Sequence, residues 1–317
     1  MLEYLGIEMP MLMLAISAAF TFGAVILSLK LFKSKLPVDG GRDFAFNGKL
    51  SKGKQRGAGI VFICVFILAS LLFIKPSIEL GMYYAVIFLG MLSGYLDDAS
   101  KVPWGEYKKG AIDLIICLLT SGAFVWKNPD LLSLFGFKLP WYVFLAISTV
   151  FLWMMINATN CSDGIDGFCG SLSIVSMVSI LAAGYVLGMD SNMNYLIIIM
   201  ILSLLPYLWR NAEPSTMMMG DAGSRALGLF LCIGIFKTGN ILLVVPLCFM
   251  LCLDGLLGIV KVSLIRFLKM KNAFKNIRTP LHDHFRKNKG WSNTQVIFRF
   301  CMIQAIISAI TVIALIR

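Results

Sequence analysis

The sequence predicts an all-α, polytopic membrane protein with about ten transmembrane helices in a single domain over residues 1–317. Three observations lead there. The chain is 58% hydrophobic and 14% charged, with a mean hydropathy of +0.83. Soluble domains carry about 25% charged residues, so too few charges are present to clothe a water-facing surface. Apolar runs approaching the ~20 residues that cross a bilayer recur along the chain. The connections between them alternate between short and long.

The first run, 10–32, is preceded by Glu3 and Glu8 and by no basic residue. No small-residue cleavage pattern follows it, so it reads as a retained span rather than a signal. The further spans are 58–74, 81–96, 110–126, 140–157, 170–187, 194–209, 224–237, 241–265 and 294–316. Connections 75–80, 188–193 and 238–240 are short and 127–139 is of intermediate length, whereas 33–57, 97–109, 158–169, 210–223 and 266–293 are polar and run from 12 to 28 residues. Successive spans reverse direction, so all the polar connections emerge on one face. Only Lys75, Lys127, Lys138, Lys237 and Arg317 fall on the other side, leaving 23 of the 28 lysines and arginines with the polar face. By the positive-inside rule that face is cytoplasmic and both termini are extracytoplasmic. The net charge of +11 therefore tracks topology and anionic lipid rather than nucleic acid. The eight cysteines form no CxxC pair and read as packing residues.

Six of the 17 acidic residues fall in four short clusters at the cytoplasmic ends of spans. Carboxylates this close to hydrocarbon are costly and mark function. The first cluster is Asp97-Asp98, ending the third span. Adjacent carboxylates repel unless a cation sits between them, which suits metal binding or a general base. With Lys101 in the last position, it is not a DDxxD motif. The second runs from Asn157 through Asn160, Asp163, Gly164 and Asp166 to Gly167. Amides there suit a base or sugar, and the glycines allow close backbone approach. It lacks the Asp-Gly-x-x-Ala-Arg start of CDP-alcohol phosphotransferases.

The third cluster, Gly220-Asp221-Ala222-Gly223-Ser224, opens the eighth span. Ser224 is expected to cap that helix, with its N-terminus facing an anion. Asp221 is there either a helix-dipole charge or a Mg²⁺ ligand, and the neighbouring acid clusters favour the metal. Mg²⁺ is held by one or two carboxylates plus substrate phosphates. The fourth, His282-Asp283-His284, lies in the last polar loop among Arg278, Arg286, Lys287 and Lys289. No third strong ligand accompanies the histidines, so phosphate fits these surroundings better than zinc. Lys108 and Lys109 begin the fourth span, and the basic run Lys49, Lys52, Lys54, Arg56 opens the second. Together these residues offer acids for Mg²⁺, bases for phosphate, and amides and glycines for a nucleoside or sugar.

With these motifs, from about residue 50 onward, the chain resembles the polyprenyl-phosphate N-acetylhexosamine-1-phosphate transferases. Within them, Pro280-Leu-His-Asp-His-Phe285, Lys289-Gly290-Trp291 and Arg299-Phe300 resemble the phospho-MurNAc-pentapeptide transferase branch. The resemblance implies transfer of phospho-MurNAc-pentapeptide from UDP-MurNAc-pentapeptide to undecaprenyl phosphate, giving lipid I and UMP. It implies Mg²⁺, a bacterial plasma membrane and a homodimer. It implies Asp98, beside Asp97, as the base toward the lipid phosphate, Asp221 as the metal ligand and Asp163 as a further essential acid. Asn160, Gly164, Ile165, Asp166, Asn211 and Met218 are the implied sugar-nucleotide residues. Lys109, His282 and His284 are the implied diphosphate neighbours. One-step attack and a covalent two-step route use the same acids.

Three departures stand out. Asp283 replaces the middle of three histidines and is expected to be repelled by a diphosphate unless a basic neighbour compensates it. Lys54-Gln55-Arg56-Gly57-Ala58-Gly59 replaces Thr-Pro-Thr-Met-Gly-Gly, which puts a role for Lys52 in the uridine pocket in question. Met218 stands where an aromatic residue stacks on uracil. The competing readings are a sibling transferase using UDP-GlcNAc, a non-catalytic scaffold, and a cation transporter, which would use the in-span acids Asp113 and Asp254.

Overall fold

The computed structural model describes residues 10–40, 52–100, 102, 104–134, 136–270 and 274–316. Glu3, Glu8, Lys49, Lys101 and Arg317 lie outside the described residues. Twelve α-helices are described: α1 Pro10–Phe32, α2 Gly59–Phe73, α3 Ile78–Asp98, α4 Glu106–Lys127, α5 Trp141–Ser162, α6 Phe168–Leu187, α7 Ser191–Asn211, α8 Gly220–Phe236, α9 Val244–Leu247, α10 Phe249–Phe267, α11 Leu281–Lys289 and α12 Asn293–Ile316. A two-stranded antiparallel hairpin, β1 Ser133–Leu134 with β2 Phe137–Lys138, interrupts the helices between α4 and α5.

Local chemistry sets several boundaries. Ser77 Oγ accepts from the Leu80 amide at 3.1 Å and starts α3, and Asp190 Oδ1 accepts from Met193 at 3.0 Å and starts α7. Nine of the ten predicted spans each coincide with one helix. Helices α1, α3 to α7 and α12 are long and apolar enough to cross a membrane, and a bent pair adds an eighth candidate. Helices α2 and α8 are shorter, with 15 and 17 residues. The protein is therefore an all-helical, multi-pass membrane protein.

Four sequence expectations are corrected. The run 241–265 is not one straight helix: it turns by 92° between the segment ending at Leu247 and α10. Gln304 of α12 satisfies the break. Its Oε1 accepts from the Met250 amide at 2.9 Å, and its Nε2 donates to the Pro246 carbonyl at 3.0 Å. Broken backbone inside a membrane protein needs such partners. Ser224 does not cap α8, which begins at Gly220; its hydroxyl donates back to the Gly220 carbonyl at 3.1 Å. Asn157 and Asn160 lie on the last turns of α5 rather than in a loop. His282, Asp283 and His284 sit on α11.

Helix α8 is the axis of the bundle. All its residues are buried, with α2, α3, α5 and α6 packed around it. Small residues let its neighbours close in: a Cβ on Gly228 would lie 2.8 Å from the Ile156 Cα of α5. Phe124 of α4 stacks on Phe144 of α5 at 5.6 Å and meets Phe236 of α8 edge-on at 5.4 Å. The outward sides of the peripheral helices are apolar, as at Leu71, Leu119, Val150 and Ile310.

The two ends of the bundle differ. The connections following α1, α3, α5, α7 and α10 meet at one end, where the Asp39 amide donates to Lys54 O, Met218 to Gln55 O and Gly167 to Asn211 Oδ1. At the opposite end Lys237, just after α8, bridges Glu79 at 3.1 Å and Asp190 at 3.0 Å. There Asn128 Nδ2 and Tyr83 Oη donate to Glu79 at 2.8 and 2.7 Å, and Lys237 donates to Asn128 Oδ1 at 3.0 Å.

Candidate active site

Helix α3 ends and α8 begins at the same point because Gly94 permits it. A Cβ on Gly94 would collide with the backbone of Asp221 and Ala222. This contact sets Asp97 and Asp98 against Asp221, joined by Asp113 from α4. Three cations lie among these four acids. Lys109 Nζ is 2.5 Å from Asp97 Oδ2, whose Oδ1 accepts from the Trp104 amide at 2.9 Å. Arg225, one turn after Asp221, is 2.7 Å from Asp113 and 3.3 Å from Asp221. Arg56 Nη2 touches Asp98 Oδ1 at 2.8 Å and Asp221 Oδ1 at 3.0 Å.

Asp98 is fully enclosed, with its side chain 0% exposed. Neither of its oxygens has a well-directed hydrogen bond; Arg56 contacts it as an ion pair, and the amides of Asp221 and Ala222 face it. The anion expected at the N-terminus of α8 is thus, in this arrangement, the Asp98 carboxylate. Burial works against the Arg56 charge, but Asp98 and Asp221 outweigh it and hold its pKa above the ordinary arginine value.

The glycine-rich turn after α5 lies beside this cluster. Asp166 Oδ2 pairs with Lys54 at 3.0 Å and accepts from the Ser215 amide at 3.2 Å. Lys54, not Lys52, therefore reaches this turn, and it also donates to Ser215 Oγ at 2.9 Å. The carboxamide of Asn211 is buried and already engaged, accepting from Gly167 N and donating to Met217 O at 2.8 Å each. Met218 is half-buried and fixed by its backbone to Gln55 and Ala58. Gly164 is exposed, Asp163 partly so, and Ile165 is buried.

A third group centres on Asp254 of α10. Its carboxylate accepts from the His282 amide at 2.7 Å and from Ser162 Oγ at 3.0 Å, and lies 2.8 Å from His282 Nδ1. The imidazole Nε2 then faces Gly164, where a Cβ would approach to 2.7 Å. His284 Nδ1 accepts from the Arg278 amide at 3.3 Å. Asp283 is 3.3 Å from Arg286 and 3.4 Å from Lys287 on its own helix, which supplies the basic compensation its position demands.

A cavity of about 530 Å³ opens beside the acid cluster, between α4, α5 and α10. Trp153, Ile156, Ile259 and Val262 give it apolar walls, while Lys109, Asp221, Arg225 and Asn160 give it a polar end. Glu106, Asp113 and Arg266 also line it, so the polar side carries three acids and three bases against the apolar walls.

Sequence reading marked the acids, the histidines and Lys109, but not Arg225 or which cation each acid pairs with. Arg225 was legible as an arginine inside an apolar run four residues after Asp221, the spacing that places two side chains on one helix face. Asp113 and Asp254, the acids a transporter reading would use, are each committed to a cation or histidine. Asp97, Asp98 and Asp221 lie at helix ends, not in mid-span.

The fold and site define a multi-pass membrane protein with an acid- and base-rich cleft at one end of its helices. Residues 80–238 match the glycosyl transferase family 4 model. A phospho-N-acetylmuramoyl-pentapeptide-transferase of Treponema pallidum (strain Nichols) is 37% identical over 311 residues, covering 91% of this chain and 84% of the relative. Proteins of the same name from Kosmotoga olearia and Helicobacter acinonychis are 29% and 28% identical, covering 82% and 93% of this chain and 83% and 90% of their own lengths. The chain belongs to glycosyl transferase family 4 and, within it, to the phospho-N-acetylmuramoyl-pentapeptide-transferase family.

Proposed function

We propose that this protein transfers phospho-MurNAc-pentapeptide from UDP-MurNAc-pentapeptide to undecaprenyl phosphate, giving lipid I and UMP. The observation that carries the reading is the cavity whose apolar walls end at Lys109, Arg225 and Asp221, a setting for a phosphate on a hydrocarbon chain. A lipid-phosphate oxygen bonds to the sugar-linked phosphorus while the bond to the uridine-linked phosphate breaks, and UMP leaves with the electron pair.

The chain's own residues divide the work. Lys109 and Arg225 hold anionic oxygens at the cavity end. Asp98, beside Asp97, takes the proton of the lipid phosphate, and Asp163 supplies a further acid next to the sugar nucleotide. Asn160, Gly164, Ile165, Asp166 and Met218 border the nucleoside, and Asn211 acts by fixing the backbone of Gly167 and Met217. Asp254 holds Nδ1 of His282, so that Nε2 is presented toward the diphosphate beside His284.

The donor set fits Mg²⁺. Asp221 lines the cavity, with Arg225 at 3.3 Å and Lys109 at 3.9 Å from its Oδ2, Arg56 at 3.0 Å from its Oδ1, and the Asn160 amide beside it. No three His, Cys, Asp or Glu side chains converge as a cage among the described residues, which suits an ion that completes its shell from phosphate and water. When bound with the substrate, Mg²⁺ neutralises diphosphate charge and favours departure of UMP.

The lysine and arginine distribution orients this end toward the cytoplasm of a bacterial plasma membrane, with ten spans and both termini outside. The working form is a homodimer. Purified protein with undecaprenyl phosphate and Mg²⁺ is expected to turn over UDP-MurNAc-pentapeptide and not UDP-GlcNAc. Turnover of UDP-GlcNAc alone would assign it to the sibling activity.

A further inference from the structure

One nitrogen, Nη2 of Arg56, lies 2.8 Å from Asp98 and 3.0 Å from Asp221. It joins the end of α3 to the start of α8 at a single point, as a small cation does. The match is imperfect for a structural lock. Arg56 Nε is buried without a hydrogen-bond partner, and both Asp98 oxygens lack well-directed ones. Arginine–carboxylate pairs are frequently bidentate, with two parallel bonds to one carboxylate, and Arg56 instead divides one nitrogen between two. The segment that carries Arg56 is itself attached through its backbone, Arg56 N to Pro37 O at 2.8 Å and Ala58 N to Met218 O at 3.0 Å. The side chain can therefore leave while the segment stays.

We propose that Arg56 is a tethered counter-cation that competes with the divalent ion for Asp221. In the substrate-free protein it neutralises Asp98 and Asp221, and it yields Asp221 when Mg²⁺ arrives with the diphosphate. Charge supports the exchange. Asp97, Asp98, Asp113 and Asp221 pair directly with Arg56, Lys109 and Arg225, so these ion pairs are within one formal charge of balance without metal, and Asp39 and Asp163 act on Arg56 in addition. An added cation binds best where a resident one departs. Once displaced, Arg56 stands next to the incoming diphosphate, and Asp98 loses its one directly paired cation. The same motion thus exposes the proposed base as substrate loads. This inference rests on the metal reading of Asp221.

Mn²⁺ binding to the full chain in lipid nanodiscs, followed by electron paramagnetic resonance without substrates, tests it. An opposite charge within ~4–6 Å shifts a carboxylate's affinity for a proton by about one to three powers of ten. Arg56→Gln is accordingly expected to bind Mn²⁺ at least about tenfold more tightly than the wild type, and Arg56→Lys much less so. Equal affinity of wild type and Arg56→Gln overturns the competition while leaving the metal reading intact. Binding by neither protein, or binding lost on Arg56→Gln, overturns the proposal. Should Arg56→Gln not fold, Arg56→Gln/Asp98→Asn removes the buried pair together. It is expected to bind Mn²⁺ more tightly than Asp98→Asn alone, and no difference between these two overturns the proposal.

Discussion

Helices α3 and α8 carry an ionic network at each end, and the two networks are built differently. At one end Glu79, Tyr83, Asn128, Asp190 and Lys237 are joined by contacts of 2.7–3.1 Å, and none of their buried side-chain polar atoms lacks a partner. At the other, Asp97, Asp98, Asp113 and Asp221 share three cations, Arg56 Nε is buried without a hydrogen-bond partner, and Asp113 and Asp221 line a cavity. Burying charge is costly at both ends. Where no buried polar atom is left over, the network fastens helices. Where the partners are shared and imperfect, the charges are available to exchange. Proximity of charges alone does not distinguish structure from function, but completeness of their pairing does.

The contrast can be broken by substitution. Asp221→Asn should lower lipid I formation by about 10²–10³-fold or more, with the protein still eluting as a folded species in gel filtration. Asp254→Asn removes the acceptor that holds His282 and should lower kcat by about 10–100-fold, with little change in thermal unfolding. Lys237→Met leaves Glu79 and Asp190 without their cation. It should lower stability by about 1–2 kcal/mol, read as a reduced Tm, while kcat stays within about twofold. Asp130→Asn breaks an exposed pair at 3.7 Å with Lys138 and should change neither quantity, because exposed pairs contribute little. If Lys237→Met abolished turnover at unchanged Tm, the division between the two ends would be wrong.

Much of this was legible in the sequence, for identifiable reasons. Apolar runs and the lysine–arginine bias report on solvent, so the helices and the gathering of polar connections at one end followed from them. The acids and histidines of the site stood out because such residues are rare in an apolar chain. What escaped was pairing over long sequence separation. Nothing in the run 241–265 announces a turn of 92° except Pro246, and the residue that satisfies it, Gln304, lies 58 positions from Pro246 in another apolar run. Arg56 read as one more basic residue of a membrane-flanking run, because its partners are contributed by the end of α3 and the start of α8. Asp254 read as a mid-span acid until α11 brought His282 onto it.

The central claim is that the acid cluster, not the opposite network, carries phosphoryl transfer. Lipid I formation by wild type, Asp221→Asn and Lys237→Met, assayed side by side in nanodiscs with UDP-MurNAc-pentapeptide and undecaprenyl phosphate, tests it most directly. Product from wild type and Lys237→Met, with about a hundredfold less or lower still from Asp221→Asn, is the expected outcome. Product from Asp221→Asn at the wild-type rate would contradict it.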